Sequence, residues 1–458
     1  MKLTRSLAEN IVSTKYDDLS KEVVEKTKRH ILDTLGVMFP PSTIERACIS
    51  LAEIAREMGG KPESTLIGFG GKVPCYMAAF VNGSLCHALD YDDIADELLH
   101  PSGPTFPAAL AVAEKVENTS GQDLITAYAL GIDLDLRLAA AAKEVIREVP
   151  WYLTTVFGVF SATAVAGKLL GLTDEEMVNA FGIAVDRAFG INETIFSPGS
   201  EIRAICHGFG SREGVLAALM AKKGITACQD AIEKLYKVFL CDSYDPSILT
   251  SNLGAEFMGL RVSLKAWPCA RPSHTFIQAA LDIATEYKPD PAQIEEVVLT
   301  VGSLVGDRFF NPPEEKRRPK LSINAKLSLP FVIGVVFAKR RVIIEDFLPQ
   351  NLGDSQVLEI AGKVNYKVNP QLTGIMTGPG IVQVKTRDGR SLSKGENIVY
   401  AYGHPSNPIS DEALIAKFRD CAGYAKNTLS GDKLDQLVEK LLNLEQVSNI
   451  KEISQILT

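Results

Sequence analysis

The chain has 458 residues, 46% of them hydrophobic, which is enough to bury the cores of two or three domains and excludes a disordered or fibrous protein. Its formal net charge of −8 and its sequence pI near 5.5 argue against a general binder of nucleic acids, because such proteins carry a basic surface. We therefore expect no nucleic-acid partner, and an anionic ligand would need a local basic pocket.

The sequence carries no recognisable metal-binding or targeting pattern. Its eight cysteines are scattered, without a C-x-x-C pair or the close grouping that zinc and iron–sulfur sites use, so we predict reduced, mostly buried thiols. The first residues turn acidic before an apolar core of signal length, and no run reaches the roughly 18 apolar residues of a membrane span. We expect a soluble, cytoplasmic protein without a membrane partner.

The first part of the chain has helical periodicity. From residue 3 to about 258, apolar residues recur at spacings of three and four, which predicts helices. Ser20 and Thr173 each precede such a run and are predicted N-caps. Dense alanine and glycine in FSATAVAGKLLGL (160–172) predict helices that pack closely on one another. We predict one large helical domain here.

The pattern changes near residue 261. The run EEVVLTVGS (295–303) predicts a strand, and two alternating runs joined at Asp388 and Gly389 predict a hairpin. Helices are predicted at about 273–287, from about residue 324, and at about 354–363.

The helical pattern returns after residue 404 and continues to the end. We therefore predict a mainly α fold with a helical domain of residues 1–260 plus 404–458. A smaller α+β lid domain, residues 261–403, would be inserted into it. The cleft between two such parts is the default expectation for a ligand site.

The segment HALDYDDIADELLHPSGP (87–104) crowds carboxylates between two histidines. If the helix that begins after Pro74 continues into it, the carboxylates lie near a helix C-terminus, where each opposes the helix dipole by a few tenths to about 1 kcal/mol. Water screens this cost at a surface. We therefore expect Asp92, Asp96 and Glu97 on a solvated face.

Asp90 and His100 are candidates for proton transfer. A carboxylate and an imidazole that lie ten residues apart across a turn can converge and serve as acid and base near neutral pH. Spacing alone also fits a structural role for both residues.

Four stretches together resemble the MmgE/PrpD family. They are this acidic segment, the opening LAENIVSTKYDDLSKEVVEKTKRHILDTLGV (7–37), KAWPCARPSH (265–274) and NAKLSLPF (324–331). The family includes 2-methylcitrate dehydratase, cis-aconitate decarboxylase and iminodisuccinate epimerase. The resemblance covers essentially the whole chain, and it implies a helical domain with an inserted lid, a homodimer, and a site that uses neither a metal nor an organic cofactor.

The resemblance also implies site residues. Asp90 matches the aspartate of the family's H-x-x-D-x-D-D motif, and His100 matches the histidine of its H-P-S-G motif. Lys265 matches the lysine before the P-x-C-x-x-x-x-H segment. The family's second lysine corresponds to Arg203, which keeps a cation there, although a surface salt bridge is the alternative for Arg203.

Two more residues of the 265–274 segment are candidates for substrate binding. Arg271 is a possible ligand for a carboxylate. His274 is either a second ligand or a hydrogen-bonded structural histidine that orients the loop.

Three positions depart from the decarboxylase pattern: Ile94 replaces a threonine, Tyr152 replaces a histidine, and Phe331 replaces a tyrosine. These changes remove polar contacts that cis-aconitate would need, so we do not expect cis-aconitate decarboxylation. Tyr152 is itself a candidate proton carrier, provided that a nearby cation lowers its pKa. The alternative is an interfacial aromatic beside Trp151.

We therefore predict a metal-independent lyase that abstracts a proton next to a carboxylate of a small di- or tricarboxylic acid. The first candidate is a hydro-lyase similar to 2-methylcitrate dehydratase. The second is an epimerase of a substituted succinate, in which Tyr152 and either Lys265 or His100 act as opposed bases. The third is a carboxylate-binding paralogue that has lost catalysis.

Overall fold

The computed structural model describes residues 3–97, 99–142, 149–195, 197, 200–373 and 378–458. The chain forms two compact units. Unit 1 contains Met1–Ala88, Asp92–Val262 and Asp411–Thr458, and unit 2 contains Leu89–Tyr91 and Ser263–Ser410.

The fold is mainly helical, as predicted, and its helices occur in both units. In chain order they are α1 (Leu3–Ser13), α2 (Lys21–Val37), α3 (Pro41–Ile44), α4 (Arg46–Glu57), α5 (Cys75–His87), α6 (Ser102–Lys115), α7 (Gly121–Ala142), α8 (Leu153–Leu169), α9 (Asp174–Arg187), α10 (Asn192–Ile195), α11 (Ile202–Lys222), α12 (Ala231–Leu240), α13 (Pro246–Thr250), α14 (His274–Glu286), α15 (Ser303–Phe310), α16 (Pro313–Arg317), α17 (Ser322–Lys326), α18 (Leu329–Lys339), α19 (Ser355–Gly362), α20 (Asp411–Ala422), α21 (Gly431–Leu442) and α22 (Lys451–Leu457). Among the described residues, no helix has the length and apolar character needed to span a membrane.

The described residues form strands in both units. They are β1 (Ser64–Thr65), β2 (Lys72–Val73), β3 (Ile294–Val301), β4 (Val364–Val368), β5 (Val382–Thr386) and β6 (Ser391–Lys394). The first two pair with each other, and the other four form one sheet of unit 2.

Close helix packing builds the core of unit 1. Helix α11 packs against α5, α6 and α8. A Cβ atom at Gly208 of α11 would lie 2.2 Å from the carbonyl oxygen of Phe80 on α5, so only glycine permits this approach. The N-caps predicted at Ser20 and Thr173 are confirmed, because each side chain accepts a hydrogen bond from a backbone N–H of the first helical turn.

A four-stranded sheet organises unit 2, with the strand order β4–β3–β5–β6. Strands β3 and β4 are parallel, whereas β3 with β5 and β5 with β6 are antiparallel. The predicted hairpin joins β5 to β6, and Gly389 supplies the positive φ of 86° that its turn requires. Phe331 of α18 lies in the apolar core of this unit.

The helix before the acidic segment ends earlier than predicted. Helix α5 ends at His87, and Asp90 has a φ of 54°, in the left-handed region that breaks a helical path. The helix therefore does not continue into the acidic segment. The prediction that Asp92 faces water is wrong, because Asp92 and Asp93 are 0% and 1% exposed, whereas Asp96 is exposed.

Candidate active site

Imidazole groups surround one buried carboxylate in unit 1. The Nδ1 atoms of His87 and His100 lie 3.0 and 3.1 Å from Asp92 Oδ2, and His207 Nδ1 lies 3.9 Å from the same oxygen. Burial opposes a charge on Asp92, but His100 and His87 outweigh it and hold its pKa well below the ordinary value. Asp92 is therefore an ionised acceptor inside the protein.

The hydrogen bonds of His100 define its chemistry. Its Nδ1 lies 2.8 Å from the main-chain carbonyl oxygen of Asp93, which can only accept, so Nδ1 carries a proton. The same nitrogen faces Asp92. In the neutral ring the lone pair is then on Nε2. His100 therefore has the tautomer that a general base needs.

The side chain of Asp93 ties together the two ends of the loop that carries His100. Ser102 N, at the start of α6, donates to Asp93 Oδ1 at 3.3 Å. The hydroxyl of Ser102 bonds both to Asp93 Oδ2 and to the hydroxyl of Tyr128. Burial raises the pKa of Asp93 to about 8, although the bonds from Ser102 oppose this shift. The carboxyl group is therefore largely protonated at neutral pH.

Asp93→Asn is expected to flatten the dependence of stability on pH. The folded state keeps the Asp93 proton to about pH 8, whereas the unfolded state releases it near pH 4. The wild-type carboxyl group therefore lowers the free energy of unfolding by up to about 1.4 kcal/mol per pH unit as the pH rises between those values. Urea unfolding at about pH 5.5 and about pH 7.5 measures this difference. An equal pH dependence in the variant would contradict the raised pKa.

Tyr152 belongs to the same cluster. Its hydroxyl lies 3.2 Å from His207 Nε2, and the His207 ring stacks on His87 with the ring centroids 4.2 Å apart. A Cβ atom at Gly103 would lie 2.1 Å from His207 Nδ1, so the glycine of the HPSG stretch makes room for this imidazole. The cluster thus brings together two of the predicted catalytic residues, His100 and Tyr152.

Burial decides the protonation of Tyr152 and His207. It raises the pKa of Tyr152 well above the ordinary value and lowers that of His207 well below it. The charge of Arg203, one turn before His207 on α11, opposes the shift of Tyr152 without reversing it. The phenol therefore stays protonated at neutral pH and can donate a proton. Arg203 acts on the pKa of Tyr152 in the direction expected for a proton carrier, but burial has the larger effect.

His87, Asp92 and His207 offer three potential metal-ligand atoms within 4.8 Å of one another. The rings of His87 and His207 are stacked, however, with 25° between their planes. Lone pairs lie in the ring planes, so those of two stacked rings do not converge on one ion. The geometry fits a hydrogen-bonded network better than a metal centre.

Two predicted catalytic residues form an ion pair in unit 2. Lys265 Nζ donates to Asp90 Oδ1 at 2.6 Å and to the Asp90 carbonyl oxygen at 2.8 Å. Lys265 is 1% exposed and Asp90 is 3% exposed. The left-handed backbone of Asp90 is a strained conformation of the kind that persists where the surroundings enforce it. The expected convergence of Asp90 with His100 joins residues of different units and stays a prediction.

His274 and Arg271 are also buried in unit 2. His274 Nε2 lies 3.2 Å from the carbonyl oxygen of Cys269 and donates to it. Burial lowers the pKa of His274 well below its ordinary value, and the charges of Arg271 and Lys265 lower it further. A neutral imidazole that holds a loop carbonyl fits the structural interpretation of His274. Arg271 is 3% exposed and lies in the turn before α14.

Sequence reasoning missed three members of the unit 1 cluster: His87, Asp92 and His207. His87 and Asp92 belong to the acidic segment, but His87 was assigned no role and Asp92 was expected on a solvated face. His207 comes from α11, and no local pattern connects it with that segment. The low number of histidines was one available signal. The chain has only six, and three of them lie around Asp92.

Comparison with known proteins gives matches along nearly the whole chain. The MmgE/PrpD N-terminal domain matches residues 5–245, and the MmgE/PrpD C-terminal domain matches residues 267–444. The chain is 26% identical to human cis-aconitate decarboxylase, over 99% of this chain and 94% of the human protein. It is 25% identical to an Aspergillus terreus cis-aconitate decarboxylase, over 95% of this chain and 92% of that protein. The chain therefore belongs to the MmgE/PrpD family.

Proposed function

We propose that this protein is a lyase that removes a proton next to a carboxylate of a small di- or tricarboxylic acid. The observation that carries the proposal is the orientation of His100, whose Nδ1–H faces Asp92 and the Asp93 carbonyl and whose Nε2 keeps a lone pair. Membership of the MmgE/PrpD family supports it. The proposal includes a homodimer and a reaction that needs no metal or organic cofactor.

Cations are proposed to bind the substrate carboxylates. Arg203 is half-buried in unit 1 beside the imidazole cluster, and Lys265 and Arg271 are buried in unit 2. Positive charge next to a carboxylate stabilises the enolate-like species that forms when the adjacent carbon loses a proton. In this proposal Lys265 exchanges part of its contact with Asp90 for a substrate carboxylate.

Loss of water from a hydroxy acid similar to 2-methylcitrate is the first candidate reaction. A leaving hydroxide needs a proton donor, and the protonated phenol of Tyr152 can supply one. The departures at Ile94, Tyr152 and Phe331 from the decarboxylase pattern argue against cis-aconitate decarboxylation.

Decarboxylation is the second candidate, because the curated relatives that match over almost their whole length are named cis-aconitate decarboxylases. Epimerisation is less well supported. It needs a second base on the opposite side of the substrate, and burial keeps the Tyr152 phenol protonated. A paralogue that binds carboxylates without reaction is an outcome of the test below.

Proton NMR in heavy water tests the proposal, with a panel of citrate, 2-methylcitrate, cis-aconitate and substituted succinates. We expect an alkene product from a 2-methylcitrate-like acid, detected as a methyl singlet on the new double bond or as a vinylic proton, and no itaconate from cis-aconitate. A product with a shortened carbon skeleton would show that the reaction is decarboxylation and not dehydration. Deuterium exchange with inversion alone would favour the epimerase. If the folded protein binds panel members and exchanges no carbon-bound proton in any of them, the lyase proposal fails.

A further inference from the structure

A small cavity in unit 1 lies between α2, α7 and the short 3-10 helix Met258–Arg261. Lys26 and His30 of α2 and Tyr128 of α7 form part of its wall. The cavity is partly open to solvent and has room for about one water molecule. None of the residues in its wall belongs to the imidazole cluster around Asp92, so the cavity is distinct from that cluster.

Lys26 brings an amino group to this cavity. Its side chain is half-buried, and within the described ranges of the chain the amino group makes no hydrogen bond and no ion pair. Lys168 of unit 1 is half-buried too, but its Nζ donates to the carbonyl oxygens of Val12 and Thr14 at 2.8 and 2.6 Å. The amino group of Lys26 therefore has donors and, when uncharged, a lone pair available for a ligand.

The surroundings of Lys26 favour its uncharged form. Burial has the largest effect and lowers its pKa to about 8, and the charge of Arg29 acts in the same direction. Asp93, Asp33 and Glu22 oppose this shift. An amine with this pKa is uncharged in about a quarter of the molecules at about pH 7.5, whereas an ordinary lysine is uncharged in about 0.1% of them. Lys26 is therefore a nucleophile near neutral pH.

His30 contributes a neutral polar group to the same cavity. Burial lowers the pKa of its imidazole well below the ordinary value, and the charges of Lys26 and Arg29 lower it further. Its Nε2 atom is buried and has no hydrogen-bond partner among the described residues. A buried polar atom is normally hydrogen-bonded, so an oxygen or nitrogen atom that enters the cavity would complete the bonding of His30.

The size of the cavity limits the electrophile that Lys26 can meet there. An aldehyde or ketone with a carbon chain does not fit a space for about one water molecule. Carbon dioxide is linear and about as wide as a water molecule, and it reacts with the uncharged form of an amine. Its product is an anion. Among the charged groups that act on Lys26, Arg29 has the largest effect, and its positive charge favours an anion at this position.

We propose that Lys26 is a site of reversible carbamate formation with carbon dioxide. Uncharged Nζ attacks the carbon atom, and a nitrogen–carbon bond forms while the electron pair of one carbon–oxygen π bond moves to oxygen. The nitrogen then releases one proton to solvent. The resulting –NH–COO⁻ group has both a donor and acceptors, so it can hydrogen-bond to Nε2 of His30 in either tautomer. This inference goes beyond the proposed lyase function and does not depend on it.

Carbon-13 NMR of the full chain with ¹³C-labelled bicarbonate at about pH 7.5 tests the inference. The wild type should show a carbamate resonance that is separate from those of bicarbonate and dissolved carbon dioxide, and Lys26→Met should lose it. Lys168→Met is the matched control, because burial lowers the pKa of Lys168 as well but two carbonyl oxygens hold its amino group. This variant should keep the resonance.

The amino terminus of a chain also forms carbamates, so chemical trapping locates the modified group. Triethyloxonium alkylates the carbamate oxygen, and mass spectrometry of the digested wild type should find the trapped group on the peptide of Lys26 and not on that of Lys168. If Lys26→Met does not fold, Lys26→Arg takes its place, because it keeps the charge and lacks the reactive amine. An unchanged carbamate resonance in the Lys26 variant, no trapped group at Lys26, or equal trapping at Lys168 would overturn the inference.

Discussion

His100→Asn is expected to lower turnover by about 10²- to 10⁴-fold, the usual effect of losing a general base. The amide of asparagine can still donate to the Asp93 carbonyl oxygen, which His100 Nδ1 reaches at 2.8 Å, but it has no basic nitrogen in place of Nε2. Steady-state kinetics with the acid that reacts in the NMR panel measures the loss. KM should change much less than kcat, because the base acts on the reacting proton and not on the carboxylates.

His30→Asn is the matched control for this variant. His30 is a buried histidine of α2, 2% exposed, and it lies outside the cluster around Asp92. Its substitution should leave kcat within a few-fold, whatever it does to the melting temperature. Similar kcat values for the His100 and His30 variants would show that His100 has a structural role and is not the general base.

Lys265→Met is expected to lower the free energy of unfolding by about 3–5 kcal/mol, because it leaves the carboxylate of Asp90 buried without its counter-charge. The double variant Asp90→Asn/Lys265→Met removes both charges and should recover most of that loss. Turnover should stay low in the double variant, because the cation that binds the substrate is still absent. Urea unfolding and kinetics on the same samples separate these two effects.

An exposed ion pair of the same unit is the control. Lys385 Nζ lies 3.2 Å from Glu295 Oε2, with both side chains about half exposed. Lys385→Met should change the free energy of unfolding by less than about 1 kcal/mol, as is usual for surface pairs. If the double variant at Asp90 and Lys265 regains both stability and turnover, the pair is structural only.

Much of the architecture was predictable from local patterns. Helical periodicity, the caps at Ser20 and Thr173, and the turn at Gly389 all depend on neighbouring residues. These patterns gave the mainly helical class and the positions of most elements. The end of α5 was not predictable in this way, because Asp90 leaves the helical path in a conformation that few residues other than glycine adopt.

That early helix end explains why the role of Asp92 was mispredicted. On a continued helix its carboxylate would be a solvated group near a C-terminus. In the structure the chain turns inward after His87, and Asp92 becomes the shared acceptor of imidazoles. Whether a buried carboxylate stabilises or destabilises the fold depends on the groups around it. One of these groups, His207, comes from α11, which lies far along the sequence from Asp92.

The ion pair of Lys265 with Asp90 could not be predicted from the sequence either. The place of Lys265 beside a Pro/Cys/Arg loop predicted an anion-binding lysine, and the structure pairs it with Asp90, the other residue carried over from the family motif.

The central claim is that His100 takes a proton from the carbon next to a substrate carboxylate. The most direct test follows the incorporation of deuterium at that carbon in heavy water, by proton NMR, for the wild type and for His100→Asn with saturating 2-methylcitrate or whichever panel acid reacts. We predict exchange or turnover in the wild type, and exchange at least about 100-fold slower in the variant while it still binds the acid. Equal exchange rates in the two proteins would contradict the account.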